Sequence, residues 1–325
     1  MEKNREARKN ALIIGGSGGL SGRLATMAQD EYKVWALTRG LRPLGESIQS
    51  LVADRNDENA FQSAVMGAGI QWDVVFDCIC MKESHAQQDL RVLPQVSKRL
   101  VVISTDSVYD PAHKETPQTE ETDYYVVDGS ELPEGSYAGN KRKMEEVFLR
   151  YWEEEKQQAE QASLAVTLFR PGHIYGPGFF IGCYPEHSRQ QELPDLIAKG
   201  MPLSLVAGGI YLTQPIFVDD FAATMLDCVA IQKTFGEIFC IGGPKAVENR
   251  IYYELIGELL GKQVTIKEIP LTGYGSAHPE FIGHLNHRIY DLSKLRATGV
   301  RCPSTPLKDG LRIHLESLGY ATVCL

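Results

Sequence analysis

Apolar residues recur along the chain as short unbroken runs, separated by stretches of helical spacing. Ala11–Ile14 is the first run and ends in glycine; Lys33–Leu37, Ser50–Ala53, Asp73–Ile79, Leu100–Ser104, Leu164–Phe169 and Glu237–Ile241 follow. Helical stretches fit after or between them, starting at Gly22–Gln29 and continuing over 57–67, 84–96, 137–160 and 218–232. Strands without polar alternation are covered on both faces, so the sheet is expected to be parallel with helices on either side. The fold class is therefore α/β, a doubly wound parallel sheet of the Rossmann type, with ligands at the carboxyl ends of its strands.

Two regions break the rhythm. Residues 110–136 form an acidic insert, expected as a lid or an exposed loop, and 176–212 are rich in glycine and proline. Beyond 245 come a helix at Ile251–Leu260, a strand at Val264–Glu268, a loop with three histidines and a last helix at Leu307–Leu318. We expect residues 1–175 plus 213–244 to form the dinucleotide-binding domain. Residues 176–212 plus 245–325 then make a smaller, largely C-terminal, substrate-binding lobe.

Composition narrows the class. A hydrophobic content of 43% is ordinary for a globular chain and excludes wholesale disorder. No apolar run has membrane-spanning length and the charged start is no signal peptide, so no membrane association is expected. A net charge of −9 argues against nucleic acid as a partner. Seven cysteines without paired metal spacing read as free thiols in a reducing cytoplasm.

The first run enters Gly15-Gly-Ser-Gly-Gly-Leu-Ser-Gly22. Glycines there allow a tight turn and let a pyrophosphate reach the N–H groups that open a helix. The dinucleotide loop is thus Gly15, Ser17, Gly18, Gly19 and Leu20, with Ser21 where a third glycine is usual. The second strand ends in Ala36-Leu-Thr-Arg39, without the acid that would hold the ribose of NAD. Arg39, helped by Arg23, favours NADP, with NAD as the alternative.

Two Y-x-x-x-K matches occur, at Tyr137/Lys141 and Tyr290/Lys294. Positions i and i+4 share a helix face. Tyr137 and Lys141 lie on the apolar side of their helix, with Met144, Val147, Phe148 and Trp152, and a lysine there needs a ligand or a partner. Its cation is expected to lower the phenol's pKa toward the acid–base range. Thr105 ends the fifth strand and can hydrogen-bond a substrate oxygen while Tyr137 moves the proton. Tyr290 has no such strand before it and reads as structural.

These segments resemble the extended short-chain dehydrogenase/reductases of the NAD-dependent epimerase/dehydratase superfamily. The resemblance rests on GGSGGLSG, Asp54-Arg55, STDSVYD, YAGNK, the run Arg170–Gly178 (RPGHIYGPG) and the run Pro215–Ala222 (PIFVDDFA), in that order along the chain, with YDLSKLRATG in the tail. It implies a catalytic set of Thr105, Tyr137 and Lys141, with Lys141 also on the nicotinamide ribose. It implies that Asp54, with Arg55, lies at the adenine, that Cys78 and Ile79 line the cofactor, and that Pro171 and His173 flank the nicotinamide. It also implies a homodimer through the helices at 84–96 and 137–155.

A dehydratase resembling this needs an acid pair after the threonine; here Asp106, a candidate acid, is followed by Ser107. STDSVYDP resembles dTDP-4-dehydrorhamnose reductases, so a net reductase and an epimerase of a sugar-like, nucleotide-linked small molecule both stand. Tyr184, His187, Arg189, Gln214 and Arg250 are the candidate substrate contacts. Two other readings are kept. One is a non-catalytic regulator or RNA-associated relative, since TRG and ADRND resemble an atypical subgroup. The other is a reductase of a non-sugar carbonyl. No metal is expected, because His278, His284 and His287 lack helix-borne ligand spacing.

Overall fold

The computed structural model describes residues 8–126, 136–158 and 163–323. Seven strands form one sheet: β1 (Lys9–Ile14), β2 (Tyr32–Thr38), β3 (Gln49–Val52), β4 (Val74–Asp77), β5 (Arg99–Ile103), β6 (Ala165–Pro171) and β7 (Glu237–Ile241). Their order is β7-β6-β5-β4-β1-β2-β3, and every adjacent pair is parallel. The expected Rossmann sheet is present, with strand boundaries shifted by at most two residues.

The unbroken apolar runs have a simple cause. Successive strand residues point to opposite faces. Ala11 and Ile13 of β1 enter one core, with Leu24 of helix α1 (Gly19–Ala28). Leu12 and Ile14 enter the other, with Phe61 of α2 (Glu58–Gly67), Val92 of α3 (Glu83–Val92) and Phe148 of α4 (Tyr137–Gln158). Phe221 and Met225 of α5 (Val218–Asp227) complete the first core beside α1. Helix α1 starts three residues earlier than expected, and α5 ends at Asp227 rather than at 232. Helices α3 and α4 pack on each other within the chain. Residues 159–160 of the helix expected over 137–160 lie outside the described residues.

A further cluster gathers Tyr175, Ile181, Leu193, Leu205, Tyr252, Ile256 and Leu311 from beyond the sheet. It is built on α6 (Asn249–Leu259) and α7 (Leu307–Ser317). The glycine- and proline-rich stretch contains a short helix, Leu193–Ala198, and a strand, Leu203–Val206, which pairs in parallel with Ile266–Ile269. The described part of the acidic insert is fastened down: Gln118 is buried and bridges to Tyr290, and Tyr125 stacks on Tyr109. Residues 127–135 of that insert lie outside the described residues. Strand order reverses between β1 and β4, which opens the crevice where such folds hold ligands.

Candidate active site

The turn after β1 faces this crevice. Gly15 adopts φ +95°, and a Cβ there would lie 2.7 Å from Ile79 Cγ2. A Cβ on Gly16 would lie 2.6 Å from that of Ala36. Ser21 fills the third glycine position by folding inward: its hydroxyl donates to the Gly15 carbonyl and accepts from the Gly18 N–H at 2.9 Å. Helix α1 carries no acid in its first turn, so no carboxylate of its own competes with an anion at its positive end. Glycines without room for side chains, leading into an acid-free helix start, fit a dinucleotide pyrophosphate. Gly18 is exposed, Ser17 and Gly19 are half-buried, and the Leu20 side chain enters the core, which leaves its backbone to face a ligand.

Around this turn the expected contacts separate. Arg39 is exposed just past β2. Asp54 ends up near it, its carboxyl held low by hydrogen bonds from the Asn56 backbone and side chain, with a smaller contribution from Arg39. Arg23 does not add free charge, because it is paired bidentately with Asp219 of α5 at 2.7 and 2.6 Å. Arg55 is not placed as a cofactor contact. It is buried, paired with Asp77 and, at 2.8 Å, with Asp89, and donates to the His85 carbonyl at 2.9 Å. Cys78 is half-buried and Ile79 packs under Gly15, both against the turn. Burial pushes the Cys78 thiol up, so it stays protonated.

Thr105 stands two residues past the end of β5 and Tyr137 opens α4, and both line one cleft of about 1290 Å³. Tyr137 is 50% exposed. Lys141, one turn on, is buried. Its Nζ donates to the carbonyls of Cys80 and Ile103, both at 2.7 Å, and lies 6.0 Å from the centre of the Tyr137 ring. The phenol is consequently not lowered as expected. Partial enclosure in the cleft raises it above its ordinary value, while the Thr105 hydroxyl and the charge of Arg288 act in the opposite direction. Burial also lowers Lys141 itself.

Asp106 departs from its expected role as a catalytic acid. Its Oδ1 accepts from Arg288 Nη2 at 2.8 Å, and its Oδ2 from Arg288 Nε at 2.8 Å, Lys114 Nζ at 3.1 Å and the Tyr290 hydroxyl at 2.6 Å. Burial would raise this carboxyl, but Arg288 and Lys114 prevail and hold it far below the usual carboxylate range. It is a clamp, not a proton donor. Pro171 is buried, and His173 lines the cleft with its Nε2 unpartnered and its ring edge-on to Tyr252. Burial, with Arg288 adding to it, pushes His173 down to about 3.

Of the expected substrate contacts, Tyr184, His187 and Arg189 line the cleft. His187 is tied internally, with its Nδ1 at Gln190 Oε1 and its Nε2 at the Ser204 carbonyl. Gln214 does not line the cleft: it donates to the Gly243 carbonyl at 2.7 Å and accepts from Tyr290 N at 2.8 Å. Arg250 is paired with Glu248 away from it. Sequence reading missed Arg288, Lys114 and the aromatic wall of Phe180, Phe281 and His284, and gave Tyr290 no part in the site. A signal existed: Arg288 and Tyr290 stand two apart in an extended segment, so both reach one partner. The three histidines of the 270–291 loop form no cluster among the described residues. The group that does gather metal-type ligands among the described residues, Asp77, Cys80 and Asp89 near the end of β4, encloses the Arg55 guanidinium.

Residues 11–242 match the model of the NAD dependent epimerase/dehydratase family. No curated protein matches the sequence significantly. Among solved structures, UDP-glucose 4-epimerase from Thermotoga maritima is similar over 95% of this chain and 98% of its own, with a TM-score of 0.71 at 18% identity. The epimerase Mth375 from Methanothermobacter thermautotrophicus gives 0.73 at 15% identity, over 96% and 92%. UDP-glucuronic acid 4-epimerase from Bacillus cereus, in complex with NAD, gives 0.70 at 16% identity, over 95% and 96%.

Proposed function

Because the chain belongs to the NAD dependent epimerase/dehydratase family, we propose that it is a hydride-transfer enzyme acting at a secondary alcohol or carbonyl carbon, as a net reductase or an epimerase. The observation that carries this reading is the convergence of Thr105, Tyr137 and Lys141 at the carboxyl end of β5. A nicotinamide dinucleotide, when bound, supplies the acceptor and donor of hydride. The Gly15–Gly19 backbone and the start of α1 would hold its pyrophosphate, and Ile79, Pro171 and His173 would border it. Tyr137 gives up the proton as the phenol in reduction and takes it up as the phenolate in oxidation, Thr105 lies beside the phenol oxygen, and Lys141 puts a positive charge beneath the ring. His173 is neutral at physiological pH and contributes shape without charge.

Arg39, exposed where no acid ends β2, supports NADP as the cofactor, and fluorescence titration with NADPH and NADH tests that choice. Tighter binding of NADH would transfer the reading to NAD, and a dinucleotide retained through purification would favour an epimerase. Tyr137→Phe is expected to lower turnover by about 10²- to 10⁴-fold with the affinity for the dinucleotide unchanged. Full turnover in that variant would remove the catalytic assignment. The likeness to UDP-sugar epimerases is one of fold, and the substrate has to be argued from the cleft.

A further inference from the structure

Resting on the hydride-transfer reading, we propose that the cleft beside Tyr137 takes an uncharged, flat aromatic alcohol or ketone rather than a nucleoside-diphosphate sugar. A diphosphate needs cations or unclaimed donors at its oxygens. Among the described residues lining the cleft, the guanidinium groups are Arg189 and Arg288. Arg288 is fully engaged: Nε and Nη2 lie on Asp106, and Nη1 lies 3.2 Å from His284 Nδ1. Arg189 is exposed. Against it stand the carboxylates of Glu186 and Glu280, which line the same space. His284 adds no charge, since burial and then Arg288 push it down to about 3. The described lining thus offers a diphosphate one guanidinium that Asp106 does not hold, Arg189, with Glu186 and Glu280 in the same space.

The apolar side of the cleft points the other way. The Tyr184 ring stacks on His284 at 4.3 Å and 6°, with Phe281 6.3 Å from Tyr184. Phe180 lines the same cleft with 48% of its surface exposed, more than a large apolar side chain usually shows. Rings placed this way offer a flat substrate stacking and edge contacts. Oxidation of an aryl carbinol would move its carbon-bound hydrogen, as hydride, to the oxidised nicotinamide dinucleotide and its hydroxyl proton to the Tyr137 phenolate, leaving the ketone and the phenol. Reduction restores both.

Calorimetry on the whole chain, with and without NADP, would compare UDP, UDP-glucose, 1-(2-naphthyl)ethanol and 2-acetylnaphthalene, and absorbance would follow nicotinamide reduction by the carbinol. Binding of the naphthyl pair with saturable reduction, and no heat from UDP or UDP-glucose up to about 1 mM, is the expected result. Phe281→Leu should then raise the naphthyl Kd by about three- to tenfold. UDP-glucose binding below about 100 µM overturns the proposal, and so does absence of naphthyl binding in either state. Because binding is measured without cofactor as well, loss of dinucleotide binding or an active Tyr137→Phe variant would count against the hydride-transfer reading alone.

Discussion

Arg55 and Arg288 each meet aspartate at the carboxyl edge of the sheet, but their clusters have opposite stoichiometry. Around Arg55 stand two carboxylates, Asp77 and Asp89. Burial beside Asp77 raises Asp89 well above the ordinary carboxylate value, which favours its protonated form and a neutral cluster. Around Asp106 stand two cations, Arg288 and Lys114, with the Tyr290 hydroxyl. The two clusters shape different things. Asp77 accepts from Ile79 N at 2.8 Å, fixing the turn that packs under Gly15, and the nearby Cys80 carbonyl receives Lys141. Asp106 instead ties the insert, through Lys114, and the tail, through Arg288 and Tyr290, to the end of β5. The neutral cluster sets local backbone geometry, while the cationic one anchors segments remote in sequence beside the phenol.

The comparison breaks first at Asp106. Asp106→Asn keeps the size and removes the charge, leaving Arg288 and Lys114 enclosed without a counter-ion. Unfolding by urea should show a loss of about 3–5 kcal/mol, the range for removing one partner of a buried pair. A loss within 0.5 kcal/mol, an ordinary surface effect, would mean that the cluster is solvated and that the clamp does not exist.

Each cluster also holds a histidine neutral. Burial and then Arg55 push His85 down to about 4, as burial and then Arg288 push His284 to about 3. Both folded values lie below the ordinary 6.5. An unfolded chain therefore binds more protons between the folded and unfolded values. The stability is fully present above pH 6.5 and is lost as pH falls toward the folded values. Asp89, raised in the folded state, acts in the opposite sense, since its contribution is full at low pH and lost as pH rises through its folded value. His284→Gln isolates one site: between pH 7 and 5 this variant should lose about 2 kcal/mol less stability than the native chain. Parallel pH dependences for the two proteins would show that His284 is protonated in the fold.

The fold was legible because its cause is local. Both faces of β1 are covered, so Ala11–Ile14 had to read as an unbroken apolar run. Thr105 and the Tyr137/Lys141 pair were legible for the same reason, through a strand end and a helical interval. The clamp was not. Asp106 finds its partners 182 and 184 residues away, at Arg288 and Tyr290, and no spacing rule spans that interval. Asp54 and Arg55 show a second limit. They are adjacent in one motif, yet Asp54 is exposed and Arg55 is buried under the sheet edge, so matching the motif said nothing about which residue faces the crevice. Gln214 turned out to lie off the cleft in the same way, and His187 lines the cleft with both ring nitrogens engaged internally, because polar side chains in the lobe can satisfy one another and the backbone.

The smallest expected effect is the sharpest test of the neutral cluster. If Asp89 carries a proton, Asn at that position reproduces its hydrogen-bonding pattern: the carbonyl oxygen accepts from Arg55 Nη2, now at 2.8 Å, and the amide donates toward Asp77 as the acid proton does. Asp89→Asn should therefore cost less than about 1 kcal/mol, near the net worth of a single hydrogen bond. The contrast with Asp106→Asn is the point, since the same substitution at two enclosed aspartates paired with arginine differs only in which one is ionised. Urea unfolding of both variants at pH 7 measures it. A penalty at Asp89 equal to that at Asp106 would make Asp89 a carboxylate, give the Arg55 cluster a net negative charge, and remove the basis for setting the two apart.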